Sequence, residues 1–121
     1  MKKKILAVDD SRTMRDMLYY ALSDAGFSVE VADDGQDGLE KLHDVQPNVI
    51  ITDINMPRLD GFGFIEQVRK DAVHRTVPIL VLTTESANSL KERARSVGAT
   101  GWIVKPFDQT KLISAIERVV A

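Results

Sequence analysis

Three stretches of this chain, Ile5-Leu6-Ala7-Val8, Val49-Ile50-Ile51 and Ile79-Leu80-Val81-Leu82, are unbroken apolar runs too short for helices. A strand without polar alternation must be covered on both faces, and parallel sheets packed between helices provide that cover. The segments between the runs carry apolar residues at helical spacing. After Ser11, a candidate cap, come Met14, Met17, Leu18, Ala21, Leu22 and Ala25, with a stop at Gly26; both methionines read as core. A weaker helix with Leu39 and Leu42 starts at Asp34-Gly35 and ends before Pro47. Phe64, Ile65 and Val68 mark a third helix beyond Gly61, and Ala87, Leu90, Ala94 and Val97 a fourth that stops at Gly98. Asp108 caps a last one with Leu112, Ile116 and Val119.

Phe27 to Ala32 alternates, with Val29 and Val31 set against Ser28 and Glu30, as at a sheet edge with one wetter face. Trp102-Ile103-Val104 is a short final strand. Five strands alternating with five helices predict an α/β fold, a doubly wound parallel sheet in a single domain over residues 1–121. Periodicity leaves the strand order open.

The composition closes off several functions. There are no cysteines, which excludes disulfides, thiolate catalysis and zinc on sulfur. A formal net charge of −2 does not suit a nucleic-acid binder, and Lys2-Lys3-Lys4 reads as a solvated lead-in to the first strand. The apolar run after those lysines is too short for a signal peptide or membrane span, so a cytoplasmic protein without membrane insertion is expected. His43 and His74 fall in expected surface segments and are read as solvated.

Four of the five strands end on chemically distinctive residues: Asp9-Asp10, Asp53, Thr83-Thr84 and Lys105. Parallel strands place all four ends along one edge, where open α/β sheets bind ligands. Singly, each residue has a structural use as a cap, a satisfied hydroxyl or a solvated ammonium. Their coincidence is harder to explain that way. Two carboxylates about 4 Å apart repel by roughly 4 kcal/mol at an effective dielectric of 20, so three of them call for a cation. The ligands on offer are oxygens, which favours Mg²⁺. Carboxylates, a hydroxyl and an ammonium around such an ion suit a phosphoryl group, with Asp53 as the candidate nucleophile and Thr83 and Lys105 holding its oxygens.

With Val8-Asp9-Asp10-Ser11, Asp53-Ile54-Asn55-Met56-Pro57, Asp60-Gly61, Thr83-Thr84-Glu85 and Lys105-Pro106-Phe107 in this order, the chain resembles the receiver domains of two-component response regulators over essentially its whole length. The resemblance implies a flavodoxin-like sheet of order 2-1-3-4-5 and phosphoryl transfer from a sensor histidine kinase to Asp53. It implies Mg²⁺ held by Asp10, Asp53 and the backbone carbonyl of Asn55, with Asp9 acting largely through water. It couples Thr83 to Trp102 as a switch, where Tyr or Phe is more usual, and it makes Lys105-Pro106 a cis-peptide candidate. Asn55, Thr84 and Glu85 stand where the family tunes phosphoryl lifetime.

No output domain follows the last helix, so the expectation is a stand-alone monomer that signals by binding a target protein through the helix around Leu90, the Trp102 strand and the final helix. Asp10-Ser11-Arg12-Thr13-Met14-Arg15 and the pairing of Asn55 with Glu85 resemble the chemotaxis type, with the flagellar motor switch as a candidate target. A phosphorelay intermediate or phosphate sink is the alternative within the family. A turnover phosphatase would need an Asp-x-Asp after the first strand and a cap domain. A degenerate receiver would not keep Asp9, Asp10, Asp53, Thr83 and Lys105 together.

Overall fold

The apolar runs form the middle of a five-stranded sheet in the computed structural model, which describes residues 2–120. In chain order the elements are β1 (Lys4–Val8), α1 (Arg12–Asp24), β2 (Ser28–Ala32), α2 (Gly35–Val45), β3 (Val49–Thr52), α3 (Gly61–Lys70), β4 (Ile79–Thr83), α4 (Asn88–Val97), β5 (Gly101–Val104) and α5 (Gln109–Val119). All neighbouring strands pair in parallel, in the order β2-β1-β3-β4-β5. The expected fold class and strand order are both present.

Successive strand residues point to opposite faces, so the continuous runs supply two cores at once. Leu6, Val8, Ile50, Ile79 and Val81 pack with Leu42 of α2, Phe64, Ile65 and Val68 of α3 and Ala94 of α4. Ile5, Ala7, Val49, Ile51, Leu80 and Leu82 pack with Leu18 and Leu22 of α1 and with Leu112 and Ile116 of α5. The alternating strand β2 lies at an edge, with Ser28 and Glu30 exposed and Val29 and Val31 half-buried.

Four helices start on a side-chain cap. Ser11, Asp34, Asp60 and Asp108 accept hydrogen bonds from the backbone N–H groups of Met14, Asp37, Gly63 and Thr110. Helix α4 starts at Ala87 without one. Its end is sharp, because Gly98 turns the chain at φ 116°, a conformation that costs side-chain-bearing residues.

Two expectations fail. Met17 is 47% exposed, because the buried stripe of α1 runs through Leu18 and Leu22 and Met17 falls beside the outer face with Tyr20. His43 is exposed as expected, but His74 is 3% exposed. The connection from α3 to β4 is drawn inward by Arg69, whose guanidinium donates to the carbonyls of His74, Arg75, Val77 and Gly98. Burial pushes the Arg69 guanidinium below its usual value.

The cap of α2 also anchors the loop between β3 and α3. Arg58 donates through Nε and Nη2 to the two oxygens of Asp34, at 2.6 and 3.0 Å. Those bonds hold the Asp34 carboxyl below its ordinary value of 3.8. A depressed carboxyl stabilises the fold above its unfolded pKa, and that contribution is lost as pH falls through the folded one. In urea unfolding, the advantage of the wild type over Arg58→Ala is therefore expected to be flat above about pH 5 and to close below about pH 4. A gap that stays constant from neutral pH into the acid limb would remove this role from the pair.

Candidate functional site at the carboxyl ends of the strands

Ladder bonds that continue past the strand ends position the acids and the lysine. The N–H of Asp9 donates to the carbonyl of Ala32, that of Asp53 to Val8, and that of Lys105 to Thr83. Asp53 is the first residue beyond β3, and Thr83 is the last of β4. Each side chain thus leaves the same sheet edge from a backbone that a neighbouring strand holds. The 2-1-3-4-5 order sets Asp9 and Asp53 on adjacent central strands, with Lys105 reaching across from β5 at the edge.

Lys105 Nζ donates to Asp53 Oδ2 at 2.7 Å and to Asp9 Oδ2 at 2.8 Å. The other oxygen of Asp53 accepts the N–H of Ile54 at 2.6 Å, and the other oxygen of Asp9 accepts that of Ser11 at 2.9 Å. Arg15 donates to the carbonyl of Asp9. Asp9, Asp53 and Thr83 are buried, whereas Asp10 is exposed.

Carboxylate oxygens of Asp9, Asp10 and Asp53 lie within 4.8 Å of one another. Burial pushes the Asp9 carboxyl above 3.8, against the opposing effect of Lys105 and the Ser11 N–H. Lys105 is raised above its usual value because its bonds to Asp53 and Asp9 outweigh the burial that would lower it. One ammonium therefore serves two carboxylates, with a third beside them. This all-oxygen, excess-negative cluster fits a hard divalent ion such as Mg²⁺ and the charged oxygens of a phosphoryl group.

The remaining residues meet at Glu85. Its side chain accepts from Asn55 Nδ2 at 3.1 Å, its N–H points to the Thr83 hydroxyl at 3.4 Å, and its carbonyl accepts from Trp102 Nε1 at 3.0 Å. Thr84 is exposed. The Lys105–Pro106 bond is cis. The family resemblance pairs Asn55 with Glu85, but the two backbone contacts of Glu85 carry no signal in the sequence. The roles of Arg15 and Arg58 carry no sequence signal either: the half-buried Arg15 donates to the carbonyl of Asp9, and the exposed Arg58 to the carboxylate of Asp34.

The family model described as the response regulator receiver domain matches residues 5–117. A probable chemotaxis protein CheY of Rhizobium etli is 36% identical over 119 residues, which is 98% of this chain and 92% of that one. The solved structure of Vibrio cholerae chemotaxis protein CheY4 is 44% identical with a TM-score of 0.96, covering 99% of this chain and 100% of that one. The chain spans about half the length of other relatives. A probable transcriptional regulator ycf27 of Guillardia theta is 38% identical over 98% of this chain but 46% of its own.

Proposed function

The chain belongs to the response regulator receiver family, and from that premise we propose that Asp53 accepts a phosphoryl group from a sensor histidine kinase and that the modified protein signals by binding a target. The observation that carries the reading is Lys105 held between Asp53 and Asp9, with Asp10 alongside. In the transfer, a bond forms between an Asp53 carboxylate oxygen and phosphorus while the phosphorus–nitrogen bond of the donor imidazole breaks. Asp9, Asp10 and Asp53, joined by the Asn55 carbonyl, would hold Mg²⁺, which when bound offsets charge on the transferring group. Lys105 keeps the nucleophile oriented and is placed to neutralise an incoming phosphoryl oxygen. The Thr83 hydroxyl, drawn toward that group, would loosen from the Glu85 N–H. Because Glu85 also holds Trp102, the same movement would reach the face formed by α4, β5 and α5.

Acting in the cytoplasm as a monomeric stand-alone receiver of the chemotaxis type is the finer reading, supported by the chemotaxis relatives and by the contact of Asn55 with Glu85. With a small phosphodonor and Mg²⁺, the protein is expected to take up about one acid-stable, base-labile phosphoryl group per chain, and Asp53→Asn none. Labelling that survives Asp53→Asn would sink the assignment. The emission of Trp102, the sole tryptophan, should change in step with uptake; a flat signal would remove the switch. Capture of a motor component by the phosphorylated form supports chemotaxis, and capture of a phosphotransfer protein supports the relay.

A further inference from the structure

Three side chains that the phosphoryl site leaves unused converge on the other edge of the sheet. His43 lies in the last turn of α2, Asp71 caps the end of α3, and His74 follows in the connection to β4. The helices run antiparallel to the strands, so these helix ends are remote from Asp53. His43 Nε2 is 2.7 Å from Asp71 Oδ2, and His74 Nδ1 is 3.5 Å from Asp71 Oδ1. The two imidazoles meet edge to face at 5.4 Å between centroids. One ligand atom from each residue lies within 4.8 Å of those of the other two.

The second observation is that His74 is buried with neither ring nitrogen in a well-formed hydrogen bond: Nε2 has no partner, and Nδ1 has only the long 3.5 Å approach of Asp71. Leaving a buried polar group unsatisfied costs about 1–3 kcal/mol, so native folds rarely keep one without a use. Its neighbours are already arranged around it. Asp71 Oδ1 accepts the N–H of Val73 at 3.0 Å, which fixes the carboxylate, and Arg69 clamps the carbonyl of His74 itself. Oriented ligands on a fixed backbone are what a metal site requires. The arginine charge is directed into carbonyls, and Asp71 supplies a negative charge at the cluster.

We propose that His43, Asp71 and His74 form a second metal site, selective for a divalent ion of the zinc type, that ties the end of α2 to the connection between α3 and β4. Two imidazole nitrogens and one carboxylate are a borderline-soft donor set, unlike the all-oxygen cluster around Asp53, so the two sites sort ions by donor chemistry. The ion enters between His43 and Asp71, and the exposed His43 ring moves outward to admit it, since two ligand atoms on one such ion stand farther apart than the present 2.7 Å. It enters from the solvent side, where the His43 side chain is 63% exposed, and a fourth position stays open to water.

The test uses untagged protein in excess Mg²⁺, which fills the carboxylate cluster, titrated with Zn²⁺ by calorimetry and with Co²⁺ by visible absorption. About one Zn²⁺ per chain is expected, and Co²⁺ should develop the bands of an imidazole-ligated ion. His43→Gln, at an exposed position, should weaken Zn²⁺ at least about tenfold while taking up phosphoryl groups at the wild-type rate. Zn²⁺ should raise the melting temperature of the wild type and not of His43→Gln. His74→Gln, if folded, should lose the Co²⁺ bands. Equal Zn²⁺ affinity in the wild type and His43→Gln would overturn the proposal, as would failure of the wild type to bind Zn²⁺ in excess Mg²⁺.

Discussion

Lys105→Met should cost the fold about 2–3 kcal/mol at pH 8 without divalent ions, and the loss should shrink as the pH is lowered. Methionine keeps most of the apolar stem and removes only the ammonium that Asp9 and Asp53 share at 2.8 and 2.7 Å. Breaking a buried ion pair costs about 3–5 kcal/mol when the orphaned charge has no relief. Here there is relief. Burial already pushes Asp9 above the ordinary carboxyl range, and losing Lys105 removes the influence that pulled it back. A carboxyl whose folded pKa is raised binds more protons folded than unfolded, so its penalty is absent at low pH and grows as pH rises through the folded value. Mg²⁺ should restore more stability to the variant than to the wild type, because an ion that binds only the folded state stabilises by mass action and no longer competes with the lysine. Urea unfolding at pH 5 and pH 8, with and without Mg²⁺, measures all three effects. A variant as stable as the wild type at pH 8, or a deficit that grows toward acid, would show that the ammonium does not neutralise these carboxylates.

The convergence behind that prediction is legible from residue types because of one geometric fact. Parallel strands bring their carboxyl ends to one edge, so Asp9, Asp53, Thr83 and Lys105 could be grouped without any knowledge of strand order. The buried strands were equally readable, since Ile5–Val8 and Ile79–Leu82 carry apolar residues on both faces. Legibility stops where burial depends on backbone bonds. His74 sits in a mixed segment with no periodic apolar pattern, and the carbonyl clamp of Arg69 holds that segment inward. Glu85 links Thr83 to Trp102 through its own N–H and C=O, groups that every residue except proline carries. Met17 shows a different limit. A helical stripe read from spacing alone is wider than the one the sheet covers, and residues at its margin are assigned to the core in error.

Gly61→Ala should destabilise the protein by about 2 kcal/mol or more, whereas Gly63→Ala, two residues further along the same helix, should be close to neutral. A Cβ at Gly61 would collide with the carbonyl oxygen of Asp53 and stand 2.8 Å from the Cα of Ile54, both backbone atoms. At Gly63 the closest atom is Leu59 Cδ1 at 2.6 Å, the free end of a side chain that can rotate away. Replacing Gly by Ala within a helix gains up to about 1 kcal/mol, which offsets a side-chain adjustment but not a backbone displacement. Gly61 also donates its N–H to the carbonyl of Ile54 at 2.8 Å, and the Thr52 hydroxyl donates to that of Asp53 at 2.8 Å. Relief of the clash must therefore move the peptide that carries Asp53, the proposed phosphoacceptor, and with it the Ile54 N–H that orients its carboxylate. The loss should appear twice, as a lower unfolding midpoint and as slower phosphoryl uptake at temperatures where the variant is still folded. Equal stability of the two alanine variants would refute the backbone clash. Destabilisation with unchanged uptake would show that the loop absorbs the displacement before it reaches Asp53.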